Sequence, residues 1–119
     1  MTLDELREVC LSLPGTHEKE TWGDEEHAGD ITFRVRDKIY LITGQSGGGA
    51  TIRTSQEQQA DLIAAFPDAF SMAAYVGRFG WVSVRTDAVE PDLLREVIVS
   101  AWRRTAPKAV VRSFDKGSA

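Results

Sequence analysis

The chain has 119 residues, of which 42% are hydrophobic and 27% charged, a balance that fits one globular domain with one core and excludes a disordered polyampholyte. A single cysteine, Cys10, excludes an intramolecular disulfide and suits a reducing compartment. The net charge of -4 argues against strong nonspecific binding to polyanions, because such affinity comes largely from basic side chains displacing counterions.

Thr2 and Glu5 have capping-box spacing, and Leu3, Leu6, Val9, Cys10 and Leu13 recur at helical intervals, so residues 3–13 are predicted as an amphipathic helix that Pro14-Gly15 stops. Cys10 falls on its apolar stripe, where a free thiol packs as a small hydrophobe. The start of the chain lacks the basic residues and continuous apolar stretch of a signal peptide, and no apolar run reaches the length of a membrane span. A cytoplasmic protein without a membrane partner is therefore expected.

The stretch from His17 to Asp30 is crowded with carboxylates around Trp22-Gly23, and reads as a short edge strand followed by an exposed loop. From Ile31 the period becomes two. Ile31, Phe33 and Val35 alternate with Thr32 and Arg34, the turn Arg36-Asp37-Lys38 follows, and Ile39 to Thr43 completes a hairpin. The run Gly44 to Gly49 is a polar loop leading to a strand over Ala50 to Arg53, which makes an antiparallel meander.

Ser55 with Gln58 repeats the capping signal. Ala60, Ile63 and Phe66 then mark a second helix, closed by Pro67. Phe70, Met72, Tyr75 and Val76 form an apolar stretch that passes through Gly77-Arg78-Phe79-Gly80 into a strand over Trp81 to Arg85, a second hairpin. The longest helix is predicted over Pro91 to Thr105, with Leu94, Val97, Ile98, Ala101 and Trp102 on one face. After Pro107 a turn is expected to dock through Val110, Val111 and Phe114, leaving one domain over residues 1–115 and a flexible tail over 116–119.

The predicted architecture is an α+β two-layer sandwich, with an antiparallel sheet of about five strands and helices packed on one face. Alternation then sends Thr32, Arg34, Thr51, Arg53, Trp81, Ser83 and Arg85 to the other, open face, which would be polar and basic and suited to anions or to stacked bases. Outward arginines are also ordinary on antiparallel sheets, and Trp81 can equally lie under the tail or at a subunit contact. Charge is uneven along the chain. Residues 1–30 hold nine acidic and two basic side chains, whereas residues 100–119 hold Asp115 against Arg103, Arg104, Lys108, Arg112 and Lys116.

Several segments, in order, carry a resemblance: Cys10-Leu11-Ser12-Leu13-Pro14-Gly15; Glu18 and Trp22-Gly23; Phe33-Arg34-Val35 with Asp37-Lys38; Tyr75 through Val84; and the last helix running into Ala106-Pro107-Lys108. Together they resemble the MmcQ/YjbR family of small bacterial proteins over nearly the whole chain. The resemblance implies a two-layer fold similar to secretion chaperones, with a double-wing DNA-binding motif in which β-hairpins act as wings. Carried over by position, it assigns phosphate contacts to Lys38, Arg78 and Lys108. The isoelectric point near 5.1 and the apolar Phe79 beside Arg78 are departures that weigh against a duplex binder.

No catalytic, metal or cofactor site is assigned. The ligand types between His17 and His27 match no zinc or calcium spacing, the glycine loop lacks the Lys-Ser/Thr of a P-loop, and no nucleophile elbow occurs. The leading expectation is a non-enzymatic DNA-binding module that uses basic hairpins and the open sheet face, with Arg34, Arg36, Lys38, Arg53, Arg78, Trp81, Arg85 and Lys108 as contacts and salt-dependent affinity. One alternative is a protein-interaction or homodimerising domain. A third is a small-ligand domain with a pocket near Tyr75, Trp81 and Trp102.

Overall fold

A computed structural model describes residues 1–26 and 29–117. His27, considered with His17 as a metal ligand, and Ser118 and Ala119 of the expected tail lie outside them. The element order is α1 (Leu3–Ser12), β1 (Thr16–Thr21), β2 (Asp30–Val35), β3 (Lys38–Thr43), β4 (Gly49–Arg53), α2 (Gln56–Ala65), β5 (Phe70–Met72), β6 (Trp81–Arg85), α3 (Pro91–Thr105) and α4 (Lys108–Gly117).

The two-layer α+β arrangement is the one its periodicity calls for. The sheet has six strands in the order β1-β2-β3-β4-β6-β5, every neighbouring pair antiparallel. Six strands are present where about five are expected; the three-residue β5 is the short first arm of the expected second hairpin, pairs along β6 and forms an edge. Helix α2 carries the chain from β4 past β6 to β5, and the return strand β6 inserts between them. Such a crossover is needed because β4 and β5 run in the same direction.

Ile31, Phe33, Leu41, Ile52, Val82 and Val84 form the buried face of the sheet, against Leu6, Cys10, Leu94, Val97, Ile98 and Trp102 from the helices. A β-bulge opposite Phe33 and Arg34 places both Tyr40 and Leu41 inward, two consecutive buried residues that strict alternation forbids. The Tyr40 hydroxyl then pairs with Thr16 Oγ1 at 2.9 Å and donates to the Cys10 carbonyl at 3.4 Å, tying β3 to β1 and α1.

Helix α1 starts with the predicted capping box: Thr2 Oγ1 accepts from Glu5 N–H, and Glu5 Oε1 accepts from Thr2 N–H. Gly15, at φ 75°, turns the chain out of it, a conformation that glycine adopts without steric cost. In α2 the buried face is not the predicted one. Ala60 and Phe66 are exposed, whereas Gln59 and Leu62 are buried, because Gln59 is needed to satisfy carbonyls of a neighbouring loop. After Pro107 the chain forms a full ten-residue helix that continues through Lys116 and Gly117, further than the turn expected there. Phe114 packs edge-on to Trp102 with ring centroids 4.9 Å apart, and Arg103 grips Asp115 with two hydrogen bonds, so α4 is held to α3 by an aromatic and an ionic contact.

No helix among the described residues is long and apolar enough to cross a membrane.

Candidate nucleic-acid interface

Strand direction decides which loops share an end of the sheet. β3 starts at Lys38, β4 finishes at Arg53 beside Trp81, and β5 finishes at Met72 beside Val82. The turn between β2 and β3 and the loop between β5 and β6 therefore project from the same end. Their centres are three strand spacings apart, about 14 Å. The chain from β1 to β2 and the chain after β6 emerge at the opposite end, which takes Asp24, Glu25, Glu26, Asp30, Asp87 and Glu90. Helix α3 runs between these poles, with Asp92 in its first turn and Arg103 and Arg104 in its last, in agreement with its dipole.

At the basic end, a cleft of about 490 Å³ opens between the first hairpin turn and the α3–α4 junction. Among the described residues that line it, Arg36, Lys38, Arg104 and Lys108 are cationic and Asp37 alone is anionic. Close packing of like charges is unfavourable without a counter-anion. Helix α4 begins at Lys108 in this cleft and adds the partial positive charge of its N-terminus. Arg36 is the first of two turn residues and sits at φ 55°, in the left-handed region that a non-glycine residue enters at a cost.

The second hairpin is not a plain one. Its tip contains a 3-10 turn over Gly77–Phe79 that is braced from behind: Gln56 Nε2 donates to Arg78 O at 2.9 Å, Gln59 Nε2 to Gly77 O at 2.8 Å and Trp81 O at 2.6 Å, and Thr54 Oγ1 to Gly80 O. The Arg78 guanidinium lies 4.7 Å from the centroid of the Phe79 ring. Tyr75, at φ 62°, is 93% exposed.

Of the residues expected to bind phosphate or bases, Arg36, Lys38 and Lys108 come together in the cleft, and Arg78 joins them at the same end of the sheet. The sheet-face arginines do not converge. Arg34 donates to Thr32 Oγ1 and Thr21 Oγ1, both at 3.0 Å, and so lies along the β1 edge. Arg53 bends round the end of β4 and donates to Thr105 Oγ1 at 3.4 Å. Arg85 pairs with Gly49 in register, four residues or about 13 Å along the strands from the level of Arg53 and Trp81. Between these levels Thr32, Ile42, Thr51, Ser83 and Ser71 form one cross-strand row, which carries no charge; Thr32, expected to be open, is buried under Arg34 and its bonds to β1.

The pocket expected near Tyr75, Trp81 and Trp102 does not form. Trp102 is fully buried and donates from Nε1 to Pro14 O at 2.9 Å, whereas Tyr75 stands on the hairpin tip. Among the described residues no group of three His, Cys, Asp or Glu side chains could hold a metal ion. Sequence reasoning missed Arg104 as a cleft residue and Gln56 and Gln59 as braces. The C-terminal excess of basic residues pointed toward Arg104, but no sequence signal pointed to the glutamines.

Residues 11–104 match the family model described as YjbR. The fold is shared with a crystal structure of Deinococcus radiodurans protein DR2400, which has a DUF419 family-model domain: the TM-score is 0.76 at 24% identity, over 94% of this chain and 86% of that one. No curated protein matches the chain.

Proposed function

Since the chain belongs to the YjbR family, we propose that it is a nucleic-acid-binding module, and that it holds the phosphate backbone of DNA at the end of the sheet where its first hairpin turn meets the α3–α4 junction. The observation that carries this reading is the cleft with Arg36, Lys38, Arg104 and Lys108 around a single carboxylate, Asp37. A net charge of -4 does not oppose it, because Asp24, Glu25, Glu26, Asp30, Asp87 and Glu90 lie at the other pole. A molecule polarised in this way presents its basic end to a polyanion, and steers its own encounter at low ionic strength.

Pairing with a second copy along the free edge of β1 is less well supported. In an extended antiparallel sheet, residues on the same face oppose each other. The two central registers would therefore set Glu18 against Glu18, or Lys19 against Lys19 with Glu18 against Glu20, and like charges directly opposite are destabilising.

The test is a titration of labelled DNA at low salt, repeated as salt is raised. Affinity should fall linearly on a log–log plot. Replacing Lys38, Arg104 and Lys108 together by Ala should flatten the slope by about 0.7–0.9 for each phosphate that is no longer neutralised. Millimolar affinity, or a slope unchanged by the triple substitution, would sink the proposal.

A further inference from the structure

We propose that the tip of the second hairpin is a stacking platform for unpaired bases, so that the preferred ligand of the basic end is a single strand and not an intact duplex. This rests on the nucleic-acid reading above and adds to it which form of the polymer is held.

Tyr75 and Phe79 on this loop and Met72 at the end of β5, where the loop begins, are 93%, 63% and 61% exposed, three large apolar side chains close in the chain. Contiguous exposed apolar surface in a globular domain is a feature of interaction sites. The loop is also held rigid. Four hydrogen bonds from Thr54, Gln56 and Gln59 fix its backbone, and Gly77 closes down on Met72 so tightly that a Cβ at that position would lie 2.3 Å from Met72 Cγ. Tyr75 takes its left-handed backbone in a tight turn closed by hydrogen bonds from Val76 N–H to Ala74 O and from Gly77 N–H to Ala73 O, while its ring contributes almost nothing to the core.

Charge indicates what the platform receives. In a chain with 18 carboxylates, residues 69–86 contain none, while Arg78 stands on the tip itself. The Arg78 guanidinium already covers the Phe79 ring, and a guanidinium plane and an aromatic face both stack on bases. About 14 Å away along the same end of the sheet is the cationic cleft, suited to the phosphates of the same strand. Aromatic platforms beside a basic groove are the physical requirement for holding single strands, since every base has a π-face and only unpaired bases expose it. A duplex would have to unstack before Tyr75 could contact a base face.

The experiment measures anisotropy of a labelled mixed-sequence single strand and of the blunt duplex of the same sequence, with the unaltered protein, Tyr75→Ala and Tyr75→Trp, at one low salt concentration. The side chain at position 75 is exposed, so all three proteins should share one thermal midpoint. The single strand should bind more tightly, Tyr75→Ala should weaken it about tenfold while leaving the duplex unchanged, and Tyr75→Trp should restore it. Equal affinity for both forms, or an equal loss on both with Tyr75→Ala, overturns the stacking platform while the cleft reading stands. A tip that serves a protein partner instead would leave both affinities untouched by Tyr75→Ala, which also overturns it. Binding of neither form ends both proposals.

Discussion

Gln59 Nε2 donates to the carbonyls of Gly77 at 2.8 Å and Trp81 at 2.6 Å from a side chain that is only 6% exposed, so one buried amide on α2 satisfies both ends of the second hairpin's tip. Replacing Gln59 with Leu keeps the volume and leaves both carbonyls without that donor. A loss of about 1–3 kcal/mol in urea unfolding is expected, together with faster amide exchange around residues 77–81. Stability within about 0.5 kcal/mol of the unaltered protein would show that the brace is dispensable.

Trp102 plays the matching part for the C-terminal helix. Its indole N–H donates to Pro14 O at the end of α1, and its ring receives Phe114. Trp102→Ala removes both interactions and leaves a cavity, so about 3–5 kcal/mol should be lost, with α4 the first helix to lose exchange protection. Protection of α4 that outlasts that of the sheet would contradict this account.

Burial pushes the Cys10 thiol up to about 12 from an ordinary 9.0, and burial likewise raises the Tyr40 phenol. The folded state therefore favours the neutral thiol. Its contribution is fully present below about pH 9 and is lost as pH rises toward 12, because the unfolded chain ionises first. Denaturation midpoints should fall across that window more steeply for the unaltered protein than for Cys10→Ala, and at neutral pH a thiol reagent should label Cys10 only on unfolding. Rapid labelling of the native protein would refute the assignment.

Arg36 combines a strained backbone with a place in the cationic cleft. Arg36→Gly removes the left-handed cost and the charge together. The expected result is a gain of up to about 1 kcal/mol in stability, opposed by a weaker and less salt-dependent hold on DNA. If affinity survives, Arg36 does not touch phosphate; if stability drops, the turn is not strained.

Hydropathy periodicity and capping residues made most of the fold legible. Thr2 with Glu5, Ser55 with Gln58 and Pro91 mark helix starts by local chemistry, Pro107 marks the end of α3, and the period-two runs from Ile31 and Trp81 mark strands by the side their residues must bury. Lys38, Arg78 and Lys108 were legible as candidates through the segments surrounding them. Where local pattern failed, a distant partner had overridden it. The buried face of α2 follows Gln59 because the Gly77 and Trp81 carbonyls need a donor, and Tyr40 turns inward because a bulge in β3 gives it Thr16 and the Cys10 carbonyl.

The amino-acid order by itself therefore determined most of the helices and strands and the apolar side of most of them, since those depend on neighbours within a few positions. Only the tertiary structure decided which charges meet. Strand order and direction bring Arg36, Lys38, Arg104 and Lys108 to one cleft, and send Arg34, Arg53 and Arg85 to separate partners or levels. Convergence of residues some seventy positions apart is a property of how the sheet is threaded and how the last helix returns to it, and no local pattern encodes either.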